Sequence, residues 1–463
     1  MAEKIEKTIY VGSFLHCASL AELDYCESGM IGVDEHGKIA FIIRDVDVQR
    51  FPIPPGWESV KTIILTGEGF FFPGFIDTHI HASQYPNAGV FGKSTLLDWL
   101  NTYTFPLESS FTDLITAARI YNRVVARTLS HGTTTAAYYA TIHVPATNLL
   151  ADICLSRGQR AFIGRVCMDS ALSPDFYRDA SPEDSLSSTE ACISHIRSID
   201  PDFSLISPII TPRFAPSCSL ESMTALGDLH ASTGIPAQTH ISENLDECAL
   251  VARMFPDHAS YASVYDFCGL LSSRTILAHA IHLSPSERTL IRERDAKISH
   301  CPASNTALTS GTAKVRDLLD EGLTIGLGTD VSGGCTPSLL NQAREAIYVS
   351  RHVAMSPGQD AAKLSVAEAL YLASRGGARV VGLEDRVGGF EVGMDWDAQM
   401  VRLARVDEEE VGLGKESEGL VEIFGNESWE DKVAKWLYTG DDRNTVAVWV
   451  RGRLVHWREG WMG

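Results

Sequence analysis

Residues 73–81 read Pro73-Gly74-Phe75-Ile76-Asp77-Thr78-His79-Ile80-His81, an apolar run that ends in two histidines one residue apart. In an extended chain side chains alternate between faces, so both imidazoles point the same way. The run lacks polar alternation, which is the pattern of a strand covered on both faces in a parallel sheet. It belongs to the first of eight similar runs, at 69–77, 134–141, 160–167, 203–211, 235–240, 275–279, 296–300 and 323–328. Between them lie helical patterns, among them 114–130, 220–233, 284–294 and 315–321. Ser284-Pro285 is a helix-start signal, and Gly322 stands just past a helix end. Eight strand–helix repeats over about 250 residues match a (β/α)8 TIM-like barrel better than an open doubly wound sheet.

Outside the barrel pattern, short β-like pieces at 8–11, 29–33, 39–43 and 61–65 are answered in the tail by 398–403 and 446–455. The expectation is an α/β protein of two domains. A small β-sandwich built from both chain ends, residues 1–68 and 386–463, would sit beside a catalytic barrel over 69–385. The Glu- and Gly-rich segment 405–435 reads as a surface excursion.

Composition excludes several classes. The chain has 463 residues and a formal charge of −20. That balance opposes phosphate backbones and anionic bilayers, so neither nucleic acid nor membrane is an expected partner. No run approaches the roughly 18 apolar residues of a membrane helix. The start Met1-Ala-Glu-Lys4 is not followed by the apolar segment of a secretory signal. Ten cysteines without a CxxC pair read as reduced thiols. A cytoplasmic enzyme is the expectation.

In a barrel, reacting groups sit just past the carboxyl ends of the strands. The first end carries His79 and His81, the fifth His240 and Glu243, the sixth His279 and the eighth Asp330. The HxH pair alone is weak, since fifteen histidines give roughly half such a pair by chance. Histidines and an aspartate converging from four strand ends have the composition of a zinc-type site, although iron accepts the same ligands. Whether His279 ligates or stands behind the ligands stays open. Rival motifs fail: HExxH and the H-x-E with P-C-x-x-C pattern are absent. Gly92-Lys93-Ser94 is no phosphate loop, because its first glycine would fall at Asn87. Gly333-Gly334 reads as a turn, and nothing near Cys301 or Cys335 calls for a thiol nucleophile.

The segment 73–81 with Gly328-Thr329-Asp330 resembles the metal-dependent amidohydrolase superfamily. Longer motifs narrow the resemblance to its guanine deaminase family. They are His81-Ala-Ser-Gln84-Tyr85, Trp99-Leu-Asn-Thr-Tyr-Thr-Phe105-Pro106, Pro212-Arg213-Phe214, His240-Ile-Ser-Glu243-Asn244 and His300-Cys-Pro-Ala-Ser304-Asn305. The resemblance implies hydrolytic deamination of guanine to xanthine and ammonia, with one zinc ion per chain on His79, His81, His240 and Asp330. Two-metal relatives commonly bridge their ions with a lysine on the fourth strand. This chain has no Lys between Lys93 and Lys297, which fits a single ion.

In this reading a metal-activated water is the nucleophile and Asp330 accepts its proton. Glu243 passes protons to the ring nitrogen and the leaving amine, and His279 orients or polarises the water. Phe214 is expected to stack on the purine base, Arg213 and Gln84 to read its edge, and Trp99 to wall the pocket. His300 and Asn305 receive no role. Family likeness also implies a homodimer. One rival is another mononuclear amidohydrolase that deaminates or dechlorinates a cytosine, adenosine-type or triazine substrate. The other is a non-catalytic scaffold, which would have lost ligands that this chain keeps.

Overall fold

A computed structural model describes residues 5–47, 50–406 and 421–459. At the amino end, Thr8–Ser19 (β1) pairs antiparallel with Glu22–Val33 (β2), which pairs with Ile39–Arg44 (β3), while Lys61–Ile64 (β4) joins β1 in parallel. The expected strand 69–77 divides in two. Gly69–Pro73 (β5) pairs beside β1, and Phe75–His81 (β6) begins a different sheet. A Cβ on Gly74 would lie 2.2 Å from the Thr134 side chain, so a glycine is needed where the chain crosses between sheets.

From β6 onward strands and helices alternate. β6 runs parallel to Thr133–Tyr139 (β7), and β7 to Arg160–Gly164 (β8), which continues briefly as Val166–Cys167 (β9). Ile206–Pro208 (β10) lies against β8, and Thr211–Pro212 (β11) against β9. A second parallel sheet holds Ala237–Ile241 (β12), Thr275–His279 (β13), Lys297–His300 (β14) and Ile325–Leu327 (β15). Caps set the helices between them. Ser284 and Glu287 form a capping box at the start of Pro285–Glu293, and Asp113 accepts from the first turn of Leu114–Ser130.

The fold is therefore mixed α/β with parallel sheets, but the described residues show two four-stranded parallel sheets and no closed one. Pro208 and Pro212 lack the N–H that a ladder needs. The gap beside β12 is crossed instead by Ile210, whose N–H donates to Pro236 and whose carbonyl accepts from Gln238, each at 2.9 Å. Between β15 and β6, the Thr78 hydroxyl donates to the Leu327 carbonyl at 2.9 Å, and the Asp330 N–H to the His79 carbonyl at 2.8 Å.

The tail returns to the first sheet. Ala398–Arg402 (β16) lies antiparallel to β5, and the short pair Ala404–Arg405 (β17) and Glu422–Ile423 (β18) follows. Thr445–Val450 (β19) pairs with β16, and Arg453–Trp457 (β20) with β19. The two ends thus share one eight-stranded sheet, ordered β20-β19-β16-β5-β1-β2-β3 with β4 on β1, where a two-sheet sandwich was expected.

Phe70, Phe71 and Phe72 show why β5 is covered on both faces. Phe71 points into a ring cluster with Tyr10, Trp396 and Trp449, while Phe70 and Phe72 meet Trp436 at 5.2 and 5.4 Å. Trp436 comes from the helix Trp429–Thr439, which starts inside the segment 405–435 expected as a surface excursion and runs past its end. Val433, Trp436 and Leu437 are spaced to share one buried face, so this part is core. Residues 407–420 of that segment lie outside the described residues. All ten cysteines are unpaired, as reduced thiols require. No helix among the described residues is long and apolar enough to cross a membrane.

Candidate active site

The imidazoles of His79 and His81 leave β6 on the same face and are both buried. His79 Nε2 lies 3.1 Å from Asp330 Oδ1, and His81 Nε2 lies 3.4 Å from the same oxygen. His81 Nε2 is also 3.2 Å from His240 Nε2. His240 Nδ1 hydrogen-bonds the Arg213 carbonyl. A carbonyl only accepts, so Nδ1 carries the proton and the lone pair on Nε2 faces inward. The four ligand atoms of His79, His81, His240 and Asp330 lie within 4.8 Å of one another.

Burial lowers the pKa of all three imidazoles, His81 and His240 most, and so favours their neutral, lone-pair-bearing forms. Burial alone would raise Asp330, but the His79 hydrogen bond and the neighbouring imidazoles hold its carboxyl well below the usual range. Three neutral nitrogens and one carboxylate oxygen fit a borderline divalent cation such as zinc.

Beside this cluster stands a second pair. His279 Nε2 is 3.4 Å from Glu243 Oε2 and 3.8 Å from Asp330 Oδ2, while its Nδ1 meets Asn305 Oδ1 at 2.8 Å. Burial would lower His279, yet the Glu243 and Asp330 carboxylates outweigh it and raise its pKa. Glu243 is pushed up to about 7 by burial, against the pull of His279. Ser310 donates to Glu243 Oε1 at 3.2 Å.

Local sequence explains the position of Glu243. Asn244 caps the helix Leu245–Met254 in a box with Glu247, and Glu247 also accepts the Glu243 N–H at 2.8 Å. Left-handed backbone at Ser242, His279 and Asp330, with φ of 50°, 71° and 46°, turns the chain sharply at these strand ends.

The cluster opens into a cavity, continuous with solvent, that is lined by Gln84, Trp99, Arg213, Phe214, Glu243 and His279, with Leu96, Leu100 and Leu308 as apolar wall. Arg213 is buried and forked onto Glu108, with Nη1 at 2.6 Å and Nη2 at 3.3 Å. Gln84 Nε2 donates to Glu108 at 2.8 Å. Trp99 is nearly buried in a cluster with Leu96, Phe105, Tyr177 and Phe214, and its indole N–H donates to the Val90 carbonyl at 3.3 Å.

The amidohydrolase family profile matches residues 70–455. The chain belongs to the amidohydrolase family. Its similar relatives within that family include several guanine deaminases. A probable guanine deaminase of Schizosaccharomyces pombe is 47% identical over 456 residues, covering 96% of this chain and 83% of the relative. The guanine deaminase of Dictyostelium discoideum is 41% identical over 462 residues, covering 98% and 99%. A solved guanine deaminase from C. acetobutylicum with bound guanine in the active site superposes with a TM-score of 0.86 at 33% identity, covering 97% of this chain and all of that one.

Every residue singled out from the amidohydrolase sequence pattern, from His79 to Asp330, lies at the four-donor cluster or on the cavity wall. His279 stands outside the four-donor group. His300 is buried, with neither ring nitrogen hydrogen-bonded within the protein, and burial pushes its pKa down to about 3.

Sequence reasoning missed four supporting residues of this amidohydrolase. Asn305, given no role, orients His279, and Ser310 holds Glu243. Glu108 joins Arg213 to Gln84. Asp77 accepts from the N–H of Thr329 at 2.9 Å, which steadies the turn that carries Asp330. Of these, only Asp77 and Asn305 fall inside a quoted motif, and a motif does not say what a side chain touches.

Proposed function

We propose that this chain hydrolyses guanine to xanthine and ammonia, as the relatives' names suggest for those proteins. One observation carries the reading: a three-histidine, one-aspartate cluster shares a cavity with a buried carboxyl poised near neutrality, an apolar wall and the donor groups of Gln84 and Arg213. His79, His81, His240 and Asp330 would hold one zinc ion. Such an ion supplies a water acidified from a pKa of 15.7 toward about 7. Asp330, kept ionised by its neighbours, is the base beside that position. Glu243, protonated up to about pH 7, gives its proton to the ring nitrogen next to the carbon that bears the amine. It then takes the proton of the new hydroxyl and passes it to the departing amine, and the proton that Asp330 took from the water restores Glu243. His279, held by Asn305, presents Nε2 between Glu243 and Asp330 and orients the attacking oxygen.

The base lies against Phe214, with Trp99 and the leucines excluding water, and Arg213 and Gln84 donate to its 6-oxo edge. We read the two parallel sheets as halves of a barrel-type framework that starts at Gly74, a reading supported by the bonds that cross both gaps. Residency in the cytoplasm and assembly as a homodimer complete the proposal on family likeness. The test is ammonia release from guanine, adenine, cytosine and their nucleosides, with zinc counted per chain. Guanine turnover by a one-zinc chain is the expected result. A zinc-replete chain inert on guanine but active on cytosine, an adenosine or a triazine would overturn the substrate and leave the family standing.

A further inference from the structure

Behind the cavity wall, Gln84, Arg213 and Glu108 form one buried unit. Glu108 is fully buried and does not itself line the cavity. A carboxylate only accepts and a backbone N–H only donates. Glu108 Oε1 at 2.8 Å from Gln84 Nε2, and the Ser332 N–H at 3.3 Å from Gln84 Oε1, therefore leave a single orientation for the amide. The Ser332 hydroxyl adds a second donor to the same Oε1 at 3.4 Å. The carbonyl end of Gln84 is thus occupied, and what remains for a ligand is an N–H.

Arg213 is fixed by the same carboxylate through both terminal nitrogens, and the ring of Phe105 lies 5.2 Å from its guanidinium. A guanidinium has only donors to offer. This side of the cavity therefore presents hydrogen-bond donors alone. A carbonyl oxygen or an unprotonated ring nitrogen satisfies such a wall, whereas an exocyclic amine meets it donor against donor.

We propose that Glu108 is the positioning residue that sets the preference for 6-oxopurines over 6-aminopurines, by locking Gln84 as a donor and tying Arg213 to it. The inference rests on the purine deamination reading above. Neutralising the carboxyl in Glu108→Gln removes the stronger of the two anchors on the Gln84 amide and leaves only the longer Ser332 contacts at 3.3 and 3.4 Å, because the new side chain can donate as well as accept.

The test compares guanine with 2,6-diaminopurine, which keeps the 2-amino leaving group and replaces the 6-oxo group by an amine. In the zinc-loaded enzyme Glu108→Gln is expected to lower kcat/KM for guanine about 100-fold, chiefly through KM, because mismatched buried hydrogen bonds govern such discrimination. The guanine to 2,6-diaminopurine ratio of kcat/KM is expected to shrink at least about tenfold, whereas a loss of folded protein would lower both substrates equally. Glu108→Asp keeps the charge opposite Arg213 but cannot span both partners, and it should shrink the ratio by a smaller factor.

An unchanged ratio in both folded variants would overturn the role of Glu108. Loss of the folded state in both would also overturn it, by making the residue a holder of the fold. A wild-type chain without guanine turnover would sink the deamination reading itself, which is a separate result.

Discussion

Asn305 and Ser310 stand five positions apart and hold His279, assigned to orient the attacking oxygen, and Glu243, assigned to move protons. Glu243 keeps its proton up to about pH 7 because burial disfavours the carboxylate. If that proton goes to the ring nitrogen, kcat/KM should fall as pH rises through about 7. Glu243→Gln should cost about 10²–10⁴ in rate and erase that alkaline limb in a pH–rate profile. A limb that survives the substitution would assign the titration to another group. The catalytic candidates were legible in the sequence because each follows an apolar run, and a strand end is where a barrel-type protein reacts. Their supports were not legible. Asn305 touches His279 across 26 residues and Glu108 touches Arg213 across 105, and no local pattern encodes such a meeting.

At the scale of elements, the helix Pro302–Ala307 ends in a Schellman turn. The Thr309 N–H bonds the Thr306 carbonyl at 3.1 Å, and the Ser310 N–H bonds the Asn305 carbonyl at 2.9 Å. Thr309 therefore sits at the left-handed position, φ 53°, where a β-branched residue is strained and glycine is usual. Thr309→Gly should stabilise the protein by about 1 kcal/mol in denaturant unfolding, with Ser310 still in place and activity kept. Trp436→Ala should act the other way, since it removes a fully buried ring that meets Phe70, Phe72 and Phe75. A loss of about 3–5 kcal/mol is expected from the same measurement.

The helix Trp429–Thr439 and the crossing at Gly74 were hard to read from sequence, for different reasons. The Glu and Lys residues on the outer face of Trp429–Thr439 hide its apolar stripe. The run across Gly74 is continuous in hydrophobicity, so its division between two sheets shows only through the contact at Thr134.

Across the whole molecule, the buried histidines make acid destabilising, against the opposite pull of Asp77 and Glu243, both raised to about 7 by burial. His131 and His456 are held down to about 4 and His300 to about 3, in each case first by burial. All three lie below the ordinary value of 6.5. A depressed imidazole contributes stability that is present above the unfolded pKa and is lost as pH falls toward the folded one. Unfolding free energy measured at pH 7, 5.5 and 4.5 should therefore decline, each group adding at most about 1.4 kcal/mol per unit. A decline no steeper in the wild type than in a His131→Gln, His456→Gln double variant would contradict the buried neutral state of these two rings.

The split parallel sheet has a mechanical corollary. His79 and His81 project from one half, His240 from the other, and Asp330 from the turn that spans the gap between β15 and β6. A cation gripped by all four is then a buckle across a divided belt. Chelation should lower unfolding free energy by about 2.7 kcal/mol relative to free ion at a hundred times its dissociation constant. Amide exchange in β6 and β12 should quicken together, the two ends of one belt coming loose at the same clasp.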